Sequence, residues 1–203
     1  MKPIAESCIQ NRDPILKIIK PLFANSKKLL EIGSGTGQHA VYFAAEMPHL
    51  LWQTSDLKEN HPGIRLWLEE AQLKNIKPPI TLAACDKPAW QQLSNYDAIF
   101  SANTVHIMSK HDVTCLFAGI GSILQLQGVF ALYGPFNYNG NYTSDSNARF
   151  DTWLKNRNPK SGIRDFEWLD TQANKAGMKL IQDHAMPANN RILVWQKTEA
   201  SQE

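Results

Sequence analysis

Three glycines and three carboxylates carry the clearest chemical potential in this chain. The glycines lie in Leu29-Leu30-Glu31-Ile32-Gly33-Ser34-Gly35-Thr36-Gly37-Gln38, with Glu31 two residues before the first of them. The segment follows a short apolar run, Lys28 to Ile32, that reads as a buried strand, and precedes a helix expected from about Gln38 to Met47. Glycine permits positive φ and leaves no Cβ between the backbone and a ligand. Asp56 ends a second expected strand, Leu51 to Ser55, about twenty residues past the loop, where a carboxylate can accept hydrogen bonds from both ribose hydroxyls. Asp86 ends a third, Ile80 to Ala84. Ligands of open α/β sheets bind outside the carboxyl ends of the strands, so these groups can face one ligand. The alternatives are a packing turn for the glycines and helix caps for the two aspartates.

Three kinds of nucleotide site compete for such a loop. A Walker loop needs Gly-Lys-Ser or Gly-Lys-Thr, which the segment lacks. A dinucleotide site prefers G-x-G-x-x-G, with amides and a helix dipole facing a pyrophosphate. The spacing here is G-x-G-x-G after an acid, which is the pattern of class I S-adenosylmethionine-dependent methyltransferases. Glu31, Gly33, Ser34, Gly35 and Gly37 are expected around S-adenosylmethionine, with Asp56 and Leu57 at the ribose and Asp86 at the adenine amino group.

The elements that must position these residues alternate. A first helix is expected from Pro14 to Phe23, capped by Asp13. After the two strand–helix steps above come a helix over Ile64 to Leu73 and the strand at Ile80. A strand over Ala98 to Ala102 follows, then a helix from Ser109 to about Leu126 opened by a Ser-x-x-Asp capping pattern, then a strand over Gly128 to Tyr133. Repeated β-then-α units imply a three-layer αβα, Rossmann-like fold with a mostly parallel sheet. Gly134 to Asn147 reads as a long loop, followed by helices over Ala148 to Asn156 and Phe166 to Ala176, with Gly177 as C′ residue. Met178 to Gln182 and Ile192 to Gln196 are too close in sequence for a helical crossover and should pair antiparallel. The whole chain, 1–203, is expected as one domain, with a lid and helix over 1–25 and a substrate-side insertion over 134–165.

Composition narrows the function. A net charge of +2 with scattered Lys and Arg gives no nucleic-acid signal. The start lacks the apolar core of a signal peptide, and no stretch approaches the roughly 18 apolar residues of a membrane span. Three distant cysteines (Cys8, Cys85, Cys115) without a CxxC pair argue against a disulfide framework or a thiolate zinc site and fit a reducing compartment. A cytoplasmic protein is therefore expected, with no metal and no membrane partner; oligomeric state leaves no trace in the sequence.

Later motifs are more specific. Asn11-Arg12-Asp13-Pro14-Ile15-Leu16, the glycine loop through His39, Asn103-Thr104-Val105-His106-Ile107, Tyr133-Gly134-Pro135-Phe136, Ser144-Asp145-Ser146-Asn147 and Gly162-Ile163-Arg164-Asp165 span most of the length. Together they resemble a methyltransferase-like family, domain of unknown function 938, which includes methyltransferase-like protein 26. The resemblance implies the class I methyltransferase fold, with the last strand antiparallel between the fifth and sixth of seven, and a bound S-adenosylmethionine. Trp52-Gln53-Thr54-Ser55-Asp56 departs from the family's W-Q-P-S-D at Thr54.

Methyl transfer is an in-line displacement that needs positioning and exclusion of water, and needs a base only for a protonated acceptor. His106, just after Asn103, is the candidate base, with a loop histidine bonded to backbone as the alternative. Asn103 is expected at the cofactor's edge. Arg12 is expected to pair with the cofactor carboxylate or an acidic substrate. Tyr133, Phe136, Asn137 and Tyr138 are candidates for the acceptor side, and Arg164 with Asp165 for a local ion pair. His39, His106 and His111 do not stand at persuasive metal spacing. The leading expectation is a methyltransferase acting on a small molecule; the rivals are a cofactor-binding module without turnover and an NAD-dependent oxidoreductase.

Overall fold

The computed structural model describes residues 2–199. Helix α1 (Glu6–Leu22) leads into β1 (Lys28–Ile32), α2 (Gln38–Glu46), β2 (Leu51–Asp56), α3 (His61–Ala71), β3 (Ile76–Thr81) and α4 (Lys87–Gln91). There follow β4 (Tyr96–Ala102), α5 (Lys110–Ile123), β5 (Leu124–Gly134), β6 (Phe136–Asn137), α6 (Asp145–Arg157), β7 (Arg164–Asp165), α7 (Phe166–Lys175), β8 (Met178–Met186) and β9 (Asn190–Lys197).

Seven strands form one sheet in the order β3-β2-β1-β4-β5-β9-β8. β9 runs antiparallel to both β5 and β8, and the other neighbours are parallel. This is the expected Rossmann-like arrangement, with β9 inserted between the fifth strand and β8. Each face of the sheet buries its own apolar core. On one face Ile15, Ile19 and Phe23 of the α1 region meet Ala40, Phe43 and Ala44 of α2. On the other, α5 and α7 pack through Leu116, Phe117, Ile120 and Leu169 onto Phe130 and Trp195. Among the described residues no helix is long and apolar enough to cross a membrane.

Several boundaries differ from the sequence expectation. α1 starts at Glu6, so Asp13 does not cap it and Pro14 lies inside the helix. Proline removes one intrahelical hydrogen bond, and burial of Ile15 and Ile19 against α2 offsets that loss. β3 lies earlier than expected because it contains Pro78 and Pro79, which read as breakers but are tolerated at the sheet edge it occupies. Asp86 therefore does not end a strand. It caps α4, a short helix absent from the sequence reading, and accepts from the Ala89 amide at 3.2 Å. α5 begins with the expected capping box of Ser109 and Asp112 but stops at Ile123, where β5 begins. The 134–147 segment is not all loop: β6 pairs with β7 in a small second sheet.

One close approach locks the region after β3. The indole of Trp90 covers Gly119 of α5, where an added Cβ would lie 2.4 Å from its ring atoms. Gly→Ala within a helix ordinarily stabilises by about 1 kcal/mol. At Gly119 the overlap with a buried ring reverses the sign, and we expect Gly119→Ala to destabilise by about 1–3 kcal/mol, measurable as a lowered urea midpoint. A raised midpoint would show that Trp90 yields freely.

Candidate functional site

A cavity of about 950 Å³ opens at the carboxyl ends of β1, β2, β3 and β4. Its floor is the glycine loop, held by the end of β2. Gly33 and Ser34 amides both donate to the Ser55 carbonyl at 3.0 Å, and the Gly35 amide donates to Asp56 Oδ2 at 2.6 Å. Gly33, Gly35 and Gly37 all have positive φ, and a Cβ on Gly35 would meet nothing within 4 Å, so the loop presents bare backbone to the cavity. Asp56 Oδ1 accepts from the Leu57 amide and from Asn60 Nδ2, both at 2.7 Å. Three of the roughly four lone-pair positions of the carboxylate are thus used, and Asp56 still lines the cavity beside Leu57.

The remaining walls come from Leu82 to Asp86 after β3, from Asn103 and Thr104 after β4, and from the N-terminal segment. That segment is fastened across the mouth: Ala5 donates to Gln38 Oε1 at 2.6 Å, and Trp67 Nε1 donates to the Pro3 carbonyl at 2.8 Å. Four acids, Asp56, Glu59, Asp86 and Asp112, line the cavity, and among the described residues no lysine or arginine does. His39, also in the lining, has its pKa depressed to about 4 by burial, so it adds no positive charge near neutrality.

The family model described as "Protein of unknown function (DUF938)" matches residues 2–197. The chain belongs to the DUF938 family. Solved structures share its fold. An O-methyltransferase family protein from Burkholderia thailandensis superposes with a TM-score of 0.82 at 12% identity, covering 93% of this chain and 57% of that one. The mitomycin 7-O-methyltransferase MmcR gives 0.82 at 12% identity over 95% and 54%. PigF, solved with SAH, gives 0.78 at 13% identity over 92% and 54%. This DUF938 chain thus spans little more than half the length of these neighbours.

The structure brings Gly33, Ser34, Gly35, Asp56, Leu57, Asp86 and Asn103 together on the cavity. Asn103 adopts φ 58, a left-handed conformation uncommon outside glycine, and its amide donates to the Tyr133 carbonyl at 2.9 Å. Other expected residues of this DUF938 chain lie elsewhere. Gly37 starts α2, and a Cβ there would sit 3.1 Å from the Ile64 backbone. Glu31 is buried beneath the loop, where Oε2 accepts from Ser34 Oγ at 2.8 Å and Trp52 Nε1 at 3.2 Å. Arg12 does not line the cavity; its guanidinium stacks 4.5 Å from the ring centroid of Tyr42 on α2. Tyr133, Phe136 and Asn137 are buried and do not line the cavity. Tyr138 stacks on Phe166 and donates to Asp183.

His106 is also buried, with its ring edge-on to Phe150 at 5.3 Å, and its Nδ1 has no partner. Burial, with the nearby Arg164 charge, lowers its pKa to about 4. Arg164 is not paired with Asp165. Its side chain donates to the carbonyls of Val105, Met108 and Lys160, so it braces the loop after β4 from inside the insertion. The cysteine expectation is corrected too: Cys85 and Cys115 are joined in a disulfide across 30 residues of sequence. Cys85, His111 and Cys115 are the only cluster of three candidate metal-binding side chains among the described residues, and two of the three are committed to that bond. Sequence reasoning missed Glu59 and Asn60, and it anticipated the N-terminal wall as a lid over 1–25 without naming Pro3, Ala5, Ser7 or Cys8. Asp112 was legible only as a cap, because its second role depends on where α5 packs.

Glu31 predicts a pH signature. Burial raises its pKa from 4.5 to about 7, so the folded chain holds a proton that the unfolded chain releases. Its contribution to stability is fully present below about pH 4.5 and is lost as pH rises to about 7, some 3 kcal/mol in all. His39 and His106, depressed to about 4, act in the opposite sense: their contribution is lost as pH falls from about 6.5 through 4. We expect Glu31→Gln to gain stability relative to wild type progressively between pH 4.5 and 7, then run parallel to it, in urea titrations. Parallel profiles throughout would show that Glu31 does not titrate in that range.

Proposed function

We propose that this protein binds S-adenosylmethionine in the cavity and transfers its methyl group to a small-molecule acceptor. The observation that carries the reading is the charge of the lining. A sulfonium and an ammonium suit a wall with four carboxylates and no lysine or arginine among the described residues, and a pyrophosphate does not. This argues against the NAD-dependent alternative more strongly than glycine spacing does. The bare backbone at Gly35 and the remaining accepting capacity of Asp56 fit a ribose at the end of β2. Asp86 and the apolar atoms of Leu57 and Leu82 fit the adenine.

When bound, the cofactor supplies an electrophilic methyl carbon on a positively charged sulfur. The chain's own part is to orient it and keep water out. Asp56 would accept from one ribose hydroxyl with its remaining position, Asn103 and Thr104 border the far end, and the N-terminal segment, pinned through Ala5 and Pro3, walls the mouth. The neighbours whose names specify O-methylation support a small acceptor, which would enter from the side of the loop after β4.

His106 remains the proposed base, and its neutral imidazole could accept a proton. Its burial against Phe150, outside the cavity lining, favours a second reading in which the cofactor is bound without turnover.

Titration calorimetry is expected to show micromolar binding of S-adenosylmethionine or S-adenosylhomocysteine and none of NAD; the reverse preference would overturn the proposal. Asp56→Ala should lose charge-assisted hydrogen bonds of about 1.5–3 kcal/mol, a loss of roughly 10–150-fold in affinity. An unchanged Kd would remove Asp56 from the site. Methyl incorporation into metabolite pools tests turnover, and once an acceptor is found His106→Ala should keep cofactor affinity and lose rate. Sustained absence of incorporation would favour the second reading.

A further inference from the structure

We propose that Cys85 and Cys115 form a reversible thiol–disulfide couple whose state sets the rigidity of the cavity wall after β3. Cys85 is exposed and lines the cavity in the turn between β3 and α4; Cys115 lies on α5. Their bond ties a turn of the ligand-facing wall to a helix of the core. The surroundings of the two sulfurs differ. His111, one turn before Cys115 on α5, places Nε2 3.8 Å from Cys115 Sγ. Asp112 places Oδ1 3.7 Å from Cys85 Sγ. An imidazole beside a thiol favours the thiolate and a carboxylate opposes it.

Cys115, with the imidazole of His111 beside its sulfur to take the proton, attacks a low-molecular-weight disulfide. It forms a mixed disulfide and releases one thiol. Cys85 loses its proton to solvent and attacks the Cys115 sulfur, forming the protein disulfide and releasing the second thiol. Two protein thiols and one small disulfide become one protein disulfide and two small thiols, and an excess of small thiol reverses the sequence. Cys115 is half-buried rather than enclosed, which leaves its sulfur within reach of such reagents, and the exposed Cys85 leaves and returns to it from the solvent side.

Opening the bond leaves the rest of the turn attached. Leu82 still donates to the Asp56 carbonyl at 3.1 Å, and Trp90 Nε1 to the Ala84 carbonyl at 2.9 Å. The fold should persist, with added freedom confined to Cys85 and Asp86. The proposed function places Asp86 against the adenine, so the effect on cofactor affinity rests on that reading; the couple itself does not. A pre-ordered wall binds more tightly than one that must be ordered on binding.

The 203-residue chain is equilibrated with oxidised or reduced glutathione. Thiol counting in denaturant should give one free thiol, Cys8, in the oxidised form and three in the reduced form. Hydrogen exchange in peptides spanning 82–90 should be faster in the reduced form, and S-adenosylhomocysteine should bind about three- to tenfold more weakly. Cys115→Ser should match the reduced form in oxidising buffer. Three thiols persisting in oxidised glutathione would overturn the proposal. So would stoichiometric zinc held by the reduced cysteines, or identical exchange in the two states. Equal affinity in both states would overturn the link to the cavity and leave the cofactor reading standing. Absence of binding in both states would defeat the cofactor reading, while thiol counts and exchange still decide the couple.

Discussion

The seam between the glycine loop and the end of β2 is the contact on which the cavity depends. Gly33 and Ser34 donate to the Ser55 carbonyl, Gly35 donates to Asp56, and Ser34 Oγ accepts from the Ser55 amide at 3.2 Å while donating to Glu31. A loop with three positive-φ glycines has much conformational entropy to lose. These bonds hold it in one shape, and they draw Glu31 into the protein interior as an anchor. A carboxyl buried at that point costs desolvation, which appears as its raised pKa. The carboxylate that completes the seam, Asp56, is also the one the cavity exposes to a ligand.

With that floor fixed, the character of the cavity follows from its charge. Acids arrive from four separate places: the end of β2, the turn after it, the cap of α4 and the first turn of α5. None of these positions is unusual locally, since Asp86 and Asp112 serve as caps and Asp56 binds neighbouring amides. Their convergence makes a site that suits a cationic ligand. Cations of the chain are used elsewhere, with Arg12 against Tyr42 and Arg164 against the carbonyls of the loop after β4.

The insertion after β5 shapes the far side without lining the cavity. Asp151 accepts from the Ile163 amide and the Tyr142 hydroxyl, both at 2.6 Å, and pairs with Lys155. That network fixes the turn that carries Arg164, and Arg164 fixes the loop that carries His106. An imidazole with an unpartnered buried nitrogen is the outcome. Unsatisfied buried polar groups are rare in native proteins, and Arg12 Nε and Asn137 Oδ1 share this state among the described residues.

Local chemistry in the sequence was enough to read the alternation of strands and helices, the glycine loop, the capping box at Ser109, and the antiparallel pairing of β8 and β9. Those features depend on neighbouring residues and on connection lengths. The resemblance to the DUF938 family rested on short motifs such as Asn103 to Ile107, which the family match over 2–197 bears out. The sequence could not show that Pro78 and Pro79 lie on an edge strand, that Arg12 stays out of the cavity, that Arg164 grips backbone rather than Asp165, or that Cys85 meets Cys115. Each of these depends on which elements the sheet order makes neighbours, and a side chain's partner tens of residues away is set by packing rather than by its own spacing. Tertiary structure therefore decided the charge of the cavity and the membership of its walls, while the sequence determined the fold class and the loop from which the cavity is built.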